Sequence, residues 1–326
     1  MPSFAYNLLS ITMPPPPSTI GLPTIKTLSW SITTSYNVSQ IISYNLALGA
    51  LGTNLALVYE GHPTFHALPT FGAVHGIAVM GLVHRAMSDF LPNFQGHNHV
   101  HGEHYLKLVR PYPIPTAASG IEEIKLKTTA KVVDVVGKGP MSVLIIVDIV
   151  TVEERSGEVV CENEWLGFVR KVPSKGANTH QLDRGVRSTL HAMPQRAPDK
   201  VLTHKTSPEQ AALYRAASGD LNALHIDPAT AKSAGFPAPL LTGTCTLGIG
   251  VRHVVEAFAD GNVGRFKSVK VRLSKPVFAA LSEEVRTEMW RDGGRVLFRM
   301  VVGNGEEEKV VMSQGAVEMR EDGAKL

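Results

Sequence analysis

Apolar residues in the C-terminal part of the chain switch period once. They recur at helical spacing from 240 to 258, then alternate with polar residues through four short runs at 265–273, 283–291, 295–302 and 309–318. Pro276, Asp292-Gly293-Gly294 and Gly303-Asn304-Gly305 separate those runs, and short glycine-rich breaks of this kind join strands as hairpins. The pattern predicts one helix followed by an antiparallel meander. The N-terminal part repeats the order, with an apolar stretch at 68–90 and strand-like runs near 105–110, 121–135, 142–153 and 159–170. Its breaks fall at Pro111, Gly137-Lys138-Gly139 and Ser156-Gly157.

Single residues keep the same correspondence. Tyr44 and Gly49 stand where Tyr214 and Gly219 stand in the second part, and Phe71-Gly72 follows at about the distance of Thr242-Gly243. The chain therefore reads as a duplication. One antiparallel sheet wrapped on one helix leaves an apolar helix face and an open sheet edge, so two such units are expected to pack together. The second helix is rich in small residues (Gly243, Thr244, Cys245, Gly248, Gly250). They let a sheet approach closely, while each glycine costs the helix about 1 kcal/mol that only burial offsets. The expected division is a flexible lead-in (1–35), an N-terminal unit (36–172), an extended surface linker (173–199), a C-terminal unit (200–320) and a tail (321–326).

Length alone, 326 residues, allows one large domain or two smaller ones. Apolar content of 44% and charged content of 19% exclude a wholly disordered chain. A net charge of +3 without any block of Lys and Arg gives no nucleic-acid footprint. Cys161 and Cys245 lie far apart in apolar or small-residue surroundings, as buried reduced thiols do, which points to a reducing compartment. Asp148, and His75, His84, Arg85 and Asp89, interrupt the longest apolar stretches, so no membrane span is expected.

The first 35 residues carry one basic residue, Lys26, and a proline run at 14–17, and lack the charged start and apolar core of a secretory signal. A mitochondrial presequence is the rival reading, against which the first arginine is Arg85. Asn37-Val38-Ser39 fits the glycosylation pattern, with nothing else pointing to secretion. The chain ends Ala324-Lys325-Leu326, close to the tripeptide address that the peroxisomal import receptor reads.

The chemistry concentrates between Tyr214 and Phe236, in YRAASGDLNALHIDPATAKSAGF. Asp220, Asn222 and His225 share a short glycine-led turn, and an acid and an imidazole held a few residues apart can grip one water between them. The plainer alternative makes Ser218 or Asp220 a turn or helix cap, Asp227 a cap before Pro228, and His225 a structural histidine. The turn is followed by Leu240-Leu241-Thr242-Gly243-Thr244, which enters the buried helix and so presents free backbone N–H groups for a thioester oxyanion. A second cluster, His97, His99, His101 and His104, would place its first three rings on one face of a strand. Metal binding there lacks a completing acid cluster or cysteine pair nearby. Gly243, Gly248 and Gly250 have neither the spacing nor the lysine of a nucleotide loop, and no redox cofactor is implied.

The segments SGDLNALH, AGF and TGTCTLG resemble the signature of the hydratase 2 (MaoC-like) family. The similarity covers roughly 44–319, with 68–72 (LPTFG), 101–103 (HGE), 196–199 (RAPD) and Phe266-Lys267 as further matching points, and is closest in pattern to the two-half eukaryotic peroxisomal form. The resemblance implies an α+β double hot-dog fold, two antiparallel sheets each associated with a central helix, the N-terminal helix being shortened to admit a bulky acyl chain. It implies Asp220 and His225 as catalytic acid and base, Asn222 as positioning residue, and the Gly243 backbone N–H as oxyanion donor. Thr242, Thr244, Phe266 and Lys267 are expected on the substrate. Ala50 stands where Asp220 has its mirror position, so the family's single active site per chain is expected.

Two positions depart from the family pattern. Ala223 replaces its proline and Thr242 the histidine before the glycine, which loosens the turn and changes polarity beside the thioester. The expected reaction is hydration of a trans-2-enoyl-CoA to a (3R)-3-hydroxyacyl-CoA, or the reverse dehydration in a specialised fatty-acid or polyketide pathway. No cofactor is expected, since the CoA thioester is itself the substrate. An acyl-CoA thioesterase and a non-catalytic acyl-CoA-binding subunit are the rival functions, because the fold does not fix the chemistry. A homodimer is left open.

Overall fold

A computed structural model describes residues 18–115, 120–303 and 305–321. The tripeptide at 324–326 and the first 17 residues of the expected lead-in lie outside the described residues. The N-terminal half runs α1 (Leu22–Ile25), β1 (Ser29–Tyr36), α2 (Val38–Ala47), α3 (Leu55–Val58), α4 (Gly72–Phe90), β2 (His99–Leu108), β3 (Ile124–Gly137), β4 (Ser142–Glu153) and β5 (Val159–Arg170). The C-terminal half runs β6 (Lys200–Lys205), α5 (Gln210–Ser218), α6 (Pro228–Ser233), α7 (Gly243–Ala259), β7 (Phe266–Leu273), β8 (Glu284–Asp292), β9 (Arg295–Val302) and β10 (Lys309–Met319). Each half thus offers an edge strand, a short helix, a long central helix and four further strands.

The two expected sheets are one. The strand order is β1-β3-β4-β5-β2-β7-β10-β9-β8-β6, so two five-stranded halves meet at β2 and β7. That seam pairs Glu103 with Arg272 and Tyr105 with Lys270. Glu103 forms ion pairs with Arg272 and Lys270, each at 2.8 Å, which ties the halves by charge as well as by ladder hydrogen bonds. Joining the halves this way removes two of the four free sheet edges that separate sheets would expose.

Two further expectations need correction. The lead-in is ordered before residue 36: β1 pairs with β3 along its whole length, from Ser29 opposite Lys131 to Tyr36 opposite Ile124. Its Ser and Thr positions alternate without a strong apolar face, because an edge strand buries little. The N-terminal central helix is also not shortened. α4 is 19 residues long and buries Val79, Met80, Val83 and Met87 against Val132, Ile145, Val147 and Ile149 of the sheet.

The linker crosses the sheet face opposite the helices. Asn178 donates to Asp134 on β3 at 2.7 Å, Arg184 holds the buried Glu164 of β5 at 2.7 Å, and Arg187 reaches Asp148 of β4 and Glu162 of β5. At its far end, the Trp290 indole of β8 donates to the Arg196 carbonyl at 2.9 Å. No described helix is long and apolar enough to cross a membrane.

Candidate active site

α5 ends at Ser218 because Gly219 takes a left-handed conformation (φ 68°), a cap that glycine adopts without a Cβ penalty. The chain then reverses into the turn carrying the acid. Asp220 Oδ1 accepts the Asn222 N–H at 3.0 Å, and Asn222 Oδ1 accepts the Leu224 N–H at 3.1 Å. This relay of side-chain caps starts the single 3-10 turn Ala223–His225 and brings the imidazole round to face the carboxylate. Asp227 caps α6 through the Ala229 and Thr230 N–H groups, the plain structural role considered for it.

His225 Nδ1 lies 2.9 Å from the Leu240 carbonyl oxygen. A carbonyl only accepts, so Nδ1 carries the proton and the neutral ring presents Nε2 as a base. Nε2 stands 3.7 Å from Asp220 Oδ2, too far for a direct hydrogen bond and a suitable gap for one water to touch both. The two side chains retain 15% and 12% exposure, enough for solvent to reach them. Leu221, 78% exposed, forms an apolar lip beside the acid.

Thr242 and Gly243 complete the cluster. Thr242 is the N-cap residue of α7 without a side-chain cap bond, and its hydroxyl points instead to Asp220 Oδ2 at 3.5 Å. Gly243 begins the helix, where the first N–H groups lack intrahelical acceptors. A Cβ at 243 would come within 2.1 Å of the Leu273 Cδ2 methyl, so a larger residue at this helix start would displace that side chain of β7.

The remaining expected site residues fall elsewhere. Thr244 is 1% exposed and accepts the Tyr214 hydroxyl at 2.9 Å, a tie between α5 and α7. Phe266 is fully buried at the first position of β7 and Lys267 is exposed beside it. Leu273, at the other end of that strand, is the residue that touches Gly243, so Phe266 and Lys267 lie roughly 20 Å away at strand rise. Asn222 is exposed and acts on the turn's backbone.

Sequence reading missed Arg215, whose guanidinium donates to the carbonyls of Asp220 (2.6 Å) and Asn222 (3.5 Å). Its place one residue after Tyr214 in the motif was the available signal. The histidine cluster is a set of packed rings: His101 stacks on Trp165 at 3.4 Å between centroids, and His104 bonds Asn163 at 3.0 Å. Among the described residues, no group of three or more His, Cys, Asp or Glu side chains is placed to hold a metal.

The mirror turn shows what the second half kept. Gly49 has the same left-handed backbone as Gly219 (φ 85°), and Ala50 follows where Asp220 stands. A concavity of about 420 Å³ opens beside Gly49 and Ala50, walled by His204, Lys205, Arg252 and Glu256; neither Asp220 nor His225 lines it. It marks the turn that lacks the acid.

Residues 34–171 match the MFE-2 hydratase 2 N-terminal domain and residues 189–312 the MaoC-like domain. The chain is 39% identical over 294 residues to the mouse peroxisomal multifunctional enzyme type 2, covering 89% of this chain and 37% of that one. It spans less than half the length of such multifunctional relatives. With the Arabidopsis thaliana peroxisomal enoyl-CoA hydratase 2 it shares 32% identity over 300 residues, covering 88% of this chain and 91% of that one. The solved structure of a MaoC-like dehydratase from Phytophthora capsici superposes with a TM-score of 0.80 at 29% identity, over 93% and 99% of the two chains. The chain belongs to the two-domain hydratase 2 family, an MFE-2 hydratase 2 N-terminal domain followed by a MaoC-like domain.

Proposed function

We propose that this chain is a hydro-lyase that adds water reversibly to trans-2-enoyl-CoA and forms (3R)-3-hydroxyacyl-CoA. One observation carries the reading: Asp220 Oδ2 and His225 Nε2 face each other across 3.7 Å beside the free N–H groups that open α7. A water in that gap is oriented by both side chains. Its oxygen attacks C3 of the enoyl thioester, its proton passes to the pair, and the pair returns a proton to C2 on the same face. The Gly243 N–H meets the negative charge that develops on the thioester oxygen. General acid–base transfer contributes about 10²- to 10⁴-fold and an oxyanion donor about 3 to 4 kcal/mol, so both parts matter. Names of relatives, enoyl-CoA hydratase 2 among them, support the same chemistry.

The test is loss of enoyl absorbance on crotonyl-, decenoyl- and branched enoyl-CoA, with chiral analysis of the product. Asp220→Asn and His225→Gln should each lose most turnover while remaining folded, and wild-type rates in both would overturn the assignment. Thiol release from a saturated acyl-CoA would instead make the chain a thioesterase. Binding without any change in enoyl absorbance would leave it a non-catalytic subunit. We also assign it to the peroxisome, on its peroxisomal relatives. A fluorescently labelled protein that is excluded from peroxisomes would refute the assignment.

A further inference from the structure

Helices α2 and α5, one from each half, exchange a symmetric pair of side-chain hydrogen bonds. Gln40 Nε2, on α2, donates to the Ala217 carbonyl of α5 at 2.8 Å, and Gln210 Nε2, on α5, donates to the Ala47 carbonyl of α2 at 2.9 Å. Gln40 and Gln210 stand at the same spacing as Tyr44 and Tyr214, and so do Ala47 and Ala217. Carbonyls in the last turn of a helix have no intrahelical donor, so each glutamine caps the C-terminus of the other half's short helix.

The two caps lead into different turns. Beyond Ala217 the chain passes Ser218 and left-handed Gly219 directly to Asp220, whose own N–H bonds Ser218 Oγ at 3.3 Å. Beyond Ala47 it passes Leu48 and left-handed Gly49 to Ala50, which has no reactive group. We propose that Gln40, contributed by the half that holds neither Asp220 nor His225, is a positioning residue of the hydration reaction, fixing the base of the acid-bearing turn while Arg215 fixes its crest. The inference rests on the hydro-lyase reading of Asp220 and His225. Arg215 completes the clamp because one guanidinium nitrogen serves two carbonyls of the turn, Asp220 at 2.6 Å and Asn222 at 3.5 Å. A carboxylate 3.7 Å from its imidazole partner tolerates little drift, since displacements near 1 Å cost up to about 10²-fold in rate.

The pseudo-symmetry supplies the control. Gln40→Met and Gln210→Met keep side-chain volume and remove one helix cap each, and Gln210→Met also removes a contact with His204, so both should lower thermal stability, Gln210→Met by at least as much. Gln40→Met should reduce kcat roughly 3- to 10-fold, the effect of one neutral hydrogen bond, with KM unchanged, whereas Gln210→Met should keep kcat within about twofold. Arg215→Met should lose about 10²-fold in kcat and Arg215→Lys, which retains a donor, should recover a large part of it. Equal kcat in the two glutamine variants, or a wild-type kcat in Arg215→Met, overturns the proposal. Wild-type protein and Asp220→Asn are assayed alongside. An inactive wild type overturns the hydro-lyase reading itself, while an active wild type silenced by Asp220→Asn but indifferent to Gln40 overturns only the positioning role.

Discussion

Tyr44 and Tyr214 face each other where the two halves meet, with ring centroids 5.8 Å apart and no exposed surface on either. Each hydroxyl donates to a threonine of its own half, Tyr44 to Thr70 at 3.0 Å and Tyr214 to Thr244 at 2.9 Å. Burial pushes both phenols far above their usual range, so they remain neutral donors. Tyr44→Phe and Tyr214→Phe should each cost about 1 to 2 kcal/mol, because each leaves a buried threonine hydroxyl without its partner. Urea unfolding measures the loss. Tyr214→Phe that unfolds at wild-type urea yet has no turnover would show the phenol to be a reacting acid instead.

The duplication was legible in the sequence because paired features recur at one spacing, and the strands at 142–153, 159–170 and 295–302 fall at the bounds read from alternation. β1 and β6 were not legible. Both are edge strands, β6 is six residues long with no fully buried position, and neither shows the apolar alternation that burial on one face imprints. The acid, the imidazole and the helix start were legible because they sit within one continuous stretch of sequence. Leu273 and Gln40 were not, since each reaches the site through tertiary packing. Phe266 and Lys267 sit at the end of β7 away from Gly243, since adjacency to a matching segment says nothing about which end of a strand lies beside the acid.

The mirror turn cannot be revived by restoring its acid and base alone. Ala50 and Leu55 hold the positions that correspond to Asp220 and His225. The helix start facing them is closed, however: Phe71 is fully buried in helical conformation, and a Cβ at Gly72 would come within 2.5 Å of the Tyr112 hydroxyl. Ala50→Asp with Leu55→His in an Asp220→Asn background should therefore show no recovered hydration. Measurable turnover in that triple variant would mean that the N-terminal half retains an oxyanion site.

Both cysteines should be silent in the folded protein. Cys161 and Cys245 are fully buried, and burial raises their thiols, Cys161 to about 11. The thiolate is the reactive form, so a thiol reagent at neutral pH should label neither residue until the chain unfolds. The readout is labelling followed along a denaturant series. Rapid modification of either residue without denaturant would contradict the packing described.

Acid should weaken the fold before carboxylates are titrated. His75, His104 and His253 are each at most 2% exposed, and burial lowers their pKa values to about 4, 4 and 3. Each ring is neutral in the folded chain, while in the unfolded chain it takes up a proton near pH 6.5. The unfolded state therefore binds more protons as pH falls from about 6.5 toward 4, and stability drops across that window and is retained above it. Each of the three rings should withdraw on the order of 1 to 2 kcal/mol by pH 5. Denaturant midpoints measured from pH 8 to pH 5 should be flat at the upper end and fall below about 6.5. His104 Nε2 donates to Asn163 Oδ1 at 3.0 Å, so His104→Gln keeps a polar partner there and should reduce the steepness of the fall. An unchanged midpoint between pH 7 and pH 5 would mean that these rings gain protons without opening the core.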